Sequence, residues 1–150
     1  MAASDDLGVV KNIYQAFSAG RLEDIAPLID DDFQAGFNAY GDPALYKNAL
    51  SYQAWAGISS GKALVEVLRR DLSEWTANER ISSPSFFVSE PEQATPMVVC
   101  IFEIAYVVRL TGKRVRQKKV HLWTLDADTS KVKRWEHFDD TAQVVDAFTP

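Results

Sequence analysis

The run TPMVVCIFEIAYVVRL, residues 95–110, is the stretch from which the fold is read. It is rich in β-branched and aromatic residues, and it alternates. Val98, Cys100, Phe102, Ile104, Tyr106, Val108 and Leu110 hold the even positions and are apolar or aromatic, whereas the odd positions include Glu103 and Arg109. Successive side chains of a strand point to opposite faces, so the even face is predicted to look into a core.

The chain continues through TGK into RVRQKKVHLWTL, residues 114–125, a second strand. A two-residue hairpin turn at Thr111 and Gly112 would pair Val108 with Val115, Ile104 with Lys119 and Phe102 with His121. The inward face would then carry Val115, Gln117, Lys119, His121, Trp123 and Leu125, and Arg114, Arg116 and Lys118 would face water. The next segment, KVKRWEHFDD (131–140), puts Trp135, His137 and Asp139 on alternate positions. With DADTS (126–130) as the hairpin loop, those three share the inner face with His121 and Trp123. Both histidines of the chain thus fall side by side, with Gln117, Lys119 and Asp139 as polar company. The plainer reading has the histidines as hydrogen-bonded core residues and Lys119 snorkelling to the sheet edge. The parity of the strands favours a polar pocket.

Upstream, the pattern becomes helical. Val9, Val10, Ile13, Tyr14 and Phe17 predict a helix over 6–19, with Ser4 or Asp5 as cap and Gly20 as stop. A short helix over 21–29 follows, containing Pro27. Asp30, Asp31 and Asp32 read as a solvated turn before a first strand, DFQAGFNAY (32–40). Residues 41–61, with Tyr46, Tyr52 and Trp55, read as a loop with a short helix, either a lid over a pocket or a surface helix docking its aromatics on the core. KALVEVLRRDLSEW (62–75) is amphipathic. SPSFFVSE (83–90) is a further strand and TAQVVDAF (141–148) a closing helix. Helices first and a strand meander after predict an α+β fold, with helices on one side of a curved, mostly antiparallel sheet.

The bulk properties narrow the function classes. A chain of 150 residues predicts one domain over 1–150. A net charge of −5 argues against nucleic-acid binding. No apolar run reaches the ~20 residues of a membrane span, and MAASDDLG lacks the blocks of a signal peptide. The one cysteine, Cys100, reads as a small buried hydrophobe, and the composition suits a reducing cytoplasm.

VVKNIYQAFSAGRLEDIAPLIDDDF at the amino end and VHLWTLDADTSKVKRWEHFDDTAQVVDAF at the carboxy end resemble the SnoaL-like branch of the nuclear transport factor 2-like superfamily, which includes ketosteroid isomerase and polyketide cyclases. The resemblance implies a cone-shaped α+β barrel around an apolar pocket, and a homodimer. Cyclases of the branch place an acid–base aspartate on the last strand. Matching the Trp135–Asp140 segment puts that position on His137, and an earlier histidine on His121. Scytalone dehydratase offers a similar set of residue types. The Arg-x-Asp pair of epoxide hydrolases is replaced here by Phe102 and Ile104.

The implied activity is cofactor-free acid–base chemistry of isomerase, lyase or cyclase type, on a small hydrophobic carbonyl or polyketide-like compound. His137, His121 and Asp139 would be catalytic, with Asp139 orienting an imidazole or pairing with Lys119. Trp123, Trp135, Lys119, Gln117, Tyr106, Phe102, Phe37 and Trp55 would hold the ligand. No cofactor or metal is expected, since the chain has no glycine-rich phosphate loop and only two histidines. The alternative is a small-molecule-binding or protein-interaction module without chemistry.

Overall fold

The computed structural model describes residues 5–37, 60–90 and 94–150. Helix α1 (Asp6–Ser18) is capped by Asp5, whose carboxylate accepts from the Gly8 amide at 3.0 Å. The short helix expected over 21–29 is instead two 3₁₀ turns, Leu22–Asp24 and Ala26–Leu28, the second with Pro27 in its first turn. Proline fits a helix start but not a helix interior. Strand β1 (Ile29–Phe37) begins earlier than predicted and takes in Asp30, Asp31 and Asp32, so they are not a turn.

Helix α2 (Gly61–Arg70) is capped by Ser60, and Arg69 and Arg70 lie at its negative end. It runs into a wider π-type turn, Asp71–Trp75, where an uninterrupted helix was expected. Strands β2 (Thr76–Ile81), β3 (Ser85–Val88), β4 (Met97–Val108), β5 (Arg114–Leu125) and β6 (Val132–Phe138) follow, and helix α3 (Thr141–Phe148) matches its predicted span. Sequence reading left β2 unassigned. The lid expected over 41–61 lies almost wholly outside the described residues, as do Tyr46, Tyr52 and Trp55.

Among the described residues the strands form one curled sheet in the order β1-β6-β5-β4-β2, with β3 also on β4. β2 covers the Ile104–Val108 half of one β4 edge, and β3 covers Val98–Ile101. All pairs are antiparallel except β1 with β6, which is parallel. The even face of β4 is buried from Val98 to Val108 and packs with Val10, Ile13 and Tyr14 of α1 and Leu64, Val65 and Leu68 of α2 in one core.

The β4–β5 register differs from the two-residue turn. Phe102 pairs with Lys119, Ile104 with Gln117 and Cys100 with His121, a slip of two residues. The turn is longer because it does a second job. The Val108 amide bonds to the Lys113 carbonyl, and the Gly112 amide to the Val108 carbonyl. From this turn the Thr111 hydroxyl donates to the Ala147 carbonyl, and the Lys113 ammonium to the Asp146 and Thr149 carbonyls. The turn thereby caps the C-terminus of α3.

Gly112 closes the turn at φ +72°, in the left-handed region, with open space where a side chain would begin. The cost of a Cβ there is conformational alone. Gly112→Ala should lower stability by about 1 kcal/mol, and Gly112→Asn by less. Urea denaturation of the two variants against the parent measures this.

Candidate active site

Strict alternation carries β5 residues Val115, Gln117, Lys119, His121, Trp123 and Leu125 inward, while Arg114, Arg116 and Lys118 are exposed. The predicted loop at 126–130 runs on through Lys131, with Asp126 and Lys131 closing it, and a register shift between Thr124 and Leu125 restores the odd-to-odd pairing of β5 with β6. Trp135 therefore lies opposite Trp123, and His137 opposite His121. The tryptophan rings stack with centroids 4.9 Å apart and planes 6° from parallel. The imidazole centroids are 4.7 Å apart, and His137 also lies 3.8 Å from the Trp135 ring.

These side chains line a cavity of about 80 Å³ between the sheet and helices α1 and α2. Phe102, Tyr106, Lys119, His121, Trp123, Trp135 and His137, all predicted, line it. Gln117 does not. Its amide oxygen accepts from the Asp140 amide at 2.8 Å, which pins the start of α3 to β5. Asp139 lies behind the lining, its side chain only 1% exposed, and its carboxylate stands 3.6 Å from the Lys119 ammonium. Of the two roles open to Asp139, this distance fits pairing with Lys119. Phe37 pairs with His137 through the backbone, but its side chain is outside what is described. Trp55 is likewise outside.

Sequence reading missed Tyr14, Asp71 and Glu79. Tyr14 sat unremarked on the apolar stripe of α1. Its hydroxyl accepts from the Trp123 indole at 3.0 Å and lies 2.7 Å from Nδ1 of His121. An indole N–H can only donate. The phenol can point its proton at Nδ1 of His121, and in that tautomer the ring carries its own proton on Nε2. That Nε2 is buried without a hydrogen-bond partner among the described residues.

Burial drives the pKa of His121 well below the ordinary histidine value, and the nearby Lys119 charge adds to the effect. His137 is lowered in the same way, first by burial, then by His121 and Lys119. Both imidazoles are neutral at neutral pH. The Tyr14 hydroxyl is pushed up, chiefly by burial. Burial also raises Cys100 to about 11, so it is a thiol and not a thiolate.

Asp71 ends α2 at the π-type turn, a feature that re-aims side chains. Glu79 is turned inward by a bulge. Ala77 pairs with Val107 and Arg80 with Ala105, so Asn78 and Glu79 together oppose Tyr106. Asn78 takes φ +56°, as such a bulge requires. Without the extra residue Glu79 would face water. The Thr76 hydroxyl lies 3.1 Å from both the Asp71 carbonyl and the Glu79 carboxylate. Burial raises Asp71 to about 7, the Glu79 charge contributing and Lys119 partly offsetting. Glu79 is itself raised by burial, against the pull of Thr76 and Lys119.

No family profile and no curated protein matches the sequence. Solved structures do match, over nearly the whole chain. A nuclear transport factor 2-like protein from Burkholderia xenovorans is 18% identical, with a TM-score of 0.70 over 99% of each chain. A protein assigned as a SnoaL-like polyketide cyclase from Jannaschia is 14% identical, with a TM-score of 0.68 over 99% of this chain and 95% of that one. A ketosteroid isomerase-like protein from Catenulispora acidiphila, solved with trimethylamine, is 9% identical, with a TM-score of 0.66 over 95% and 97%. The chain has the cone-shaped α+β fold of the nuclear transport factor 2-like proteins. Among the described residues no helix is long and apolar enough to cross a membrane.

Two predictions follow from the site's electrostatics. Tyr14→Phe leaves the Trp123 and His121 nitrogens without their shared oxygen, and should cost about 2–3 kcal/mol in urea denaturation. Nitrogen NMR of the parent should show His121 protonated on Nε2, and the variant should lose that fixed tautomer.

Asp71 holds its proton more tightly folded than unfolded. Its contribution to stability is therefore complete below the unfolded carboxyl value, and is lost as pH rises through about 7. Asp71→Asn removes that loss. Relative to the parent it should gain stability as pH rises, by on the order of 1–3 kcal/mol near about pH 8. Denaturation at several pH values reads this directly.

Proposed function

We propose that the protein is a cofactor-independent acid–base enzyme of isomerase, lyase or cyclase type, acting on a small hydrophobic carbonyl compound. The observation that carries this reading is the pair of neutral imidazoles in an apolar, tryptophan-walled pocket, one with an unpartnered Nε2–H. In this reading His121 donates from Nε2 to the substrate carbonyl oxygen. His137 takes the proton from the adjacent carbon and becomes an imidazolium, and the electron pair passes to the oxygen as an enolate. Return of the proton to another atom isomerises the compound, and loss of a leaving group or attack on a second carbonyl would eliminate or cyclise it. Lys119 and Asp139 supply a fixed charge pair beside the imidazoles.

A low basicity limits His137 to protons made acidic by a neighbouring carbonyl. The same low basicity favours the second reading, a binding module of this fold without turnover. By resemblance, the protein would work as a homodimer in the cytoplasm.

Proton abstraction can be read without knowing the product. Small cyclic ketones incubated with the protein in deuterated water should exchange an α-hydrogen stereospecifically, as followed by proton NMR. His137→Gln should slow that exchange by about 100-fold or more, and His121→Gln by a smaller factor. Absence of exchange across a broad ketone set, alongside tight ketone binding, would leave the module reading standing instead.

A further inference from the structure

The histidine chemistry leaves one part of the cavity unused. Asp71 at the end of α2 and Glu79 on β2 bring two carboxyls to its far side, and Asp139, just past the end of β6, stands behind the lining beside Lys119. From β4 they are faced by Tyr106, whose hydroxyl is pushed up by burial and then by those same three acids. From β5 come Lys119 and His121, and from β6 His137. With both imidazoles neutral, Lys119 is the one cationic side chain lining the cavity among the described residues. The two lining acids therefore face an ammonium that Asp139 already pairs from behind.

Buried carboxylates need counter-charge. Without a ligand, the chain answers by protonation, and Asp71 and Glu79 both hold protons more tightly than usual. A cation placed there would displace those protons. The acids do not converge as metal ligands would, since no group of His, Cys, Asp and Glu among the described residues could hold a metal ion. An extended organic cation can meet carboxyls spread along one wall. The stacked tryptophans at the other end offer apolar and π surface to its hydrocarbon part.

One further group awaits a ligand independently of the charge count. Nε2 of His121, a residue 6% exposed, lines the same cavity without a hydrogen-bond partner among the described residues. With its proton on that nitrogen, it calls for an acceptor on the ligand.

We propose that the ligand is a small organic cation, a protonated or quaternary amine bearing an oxygen function, with its charge toward Asp71 and Glu79 and its oxygen accepting from His121. This names the ligand class of the pocket treated above and rests on that pocket being a ligand site.

Calorimetric titration of the full chain with choline and with its neutral carbon isostere, a dimethylbutanol carrying a tert-butyl group, tests the charge directly. Choline should bind about tenfold tighter than the alcohol or better near about pH 8, and the advantage should shrink near about pH 5.5 as the acids take up protons. Choline binding should release protons, seen as a dependence of the heat on the buffer. Glu79→Gln and Asp71→Asn should each cut choline affinity several-fold and leave the alcohol unchanged, with circular dichroism confirming the fold. Equal affinities, a preference for the alcohol, a choline affinity that does not rise with pH, or no binding of either compound overturns the proposal. The experiment reads binding and proton release alone. The acid–base reading can therefore fail in the exchange assay while this one stands, and the reverse.

Discussion

The alternation of β5 constrains everything else in the pocket. Over Arg114–Leu125 every second side chain points inward, and the strand has no bulge to change that until it reaches Leu125. Lys119, His121 and Trp123 are therefore ordered along one line, as cation, imidazole and indole. β6 repeats the order with His137 and Trp135, and Asp139 just past its end stands beside Lys119. The pocket is graded from charged to aromatic because two antiparallel strands carry matched sequences in direct register. Tyr14 fastens α1 across the aromatic end through a single hydroxyl. Losing it would uncouple the helix from the sheet at the point where the imidazole proton is assigned.

This explains why so much of the site was legible and where legibility stopped. The predicted β4–β5 register was off by two residues, yet the inward assignments from Val98 to Val108 and from Val115 to Leu125 survived, because an even slip leaves each side chain on its own face; Leu110, expected inward, falls in the longer turn and is exposed. What the sequence could not reveal was the reason for the longer turn, which is the capping of α3 more than thirty residues away. The facing of β5 and β6 was read correctly although the loop runs on through Lys131: the register shift between Thr124 and Leu125 restores the odd-to-odd pairing, and the loop itself is held by Asp126 accepting from Asp128 and Thr129. β2 escaped because TANERI is polar and its alternation is broken by the bulge at Asn78 and Glu79. A bulge reverses parity, so the rule that found His121 and His137 would have turned Glu79 outward. Asp71 was hidden in a helical pattern where a charge reads as solvated.

Histidine in place of a last-strand aspartate has a direct electrostatic consequence. An aspartate at position 137 would add a third carboxyl to a cavity already lined by Asp71 and Glu79 against Lys119 alone. It would be raised in turn, and would compete with Asp71 and Glu79 for the same protons. A neutral imidazole adds both a donor and an acceptor without adding charge. The centre of the pocket is thereby left polar but uncharged, and charge is confined to the end where Thr76, Tyr106 and Lys119 can answer it.

Lys119 links the two halves. Burial chiefly keeps both imidazoles neutral, and the Lys119 ammonium adds to that effect while it pulls Asp71 and Glu79 back toward ionisation. One buried charge thus acts in a single sense on its neighbours: it lowers every proton affinity, which favours the neutral form of the histidines and the charged form of the carboxyls. Asp139, at ion-pair distance, partly neutralises that charge and so moderates both effects. The acid–base state of the imidazoles and the charge of the carboxyl wall are consequently not independent. A positive group bound at the wall would act as a second Lys119, depressing the histidines further and freeing protons from Asp71. Occupancy at one end of the cavity would then weaken His137 as a base at the other, unless the ligand's own electron demand made its proton correspondingly easier to remove.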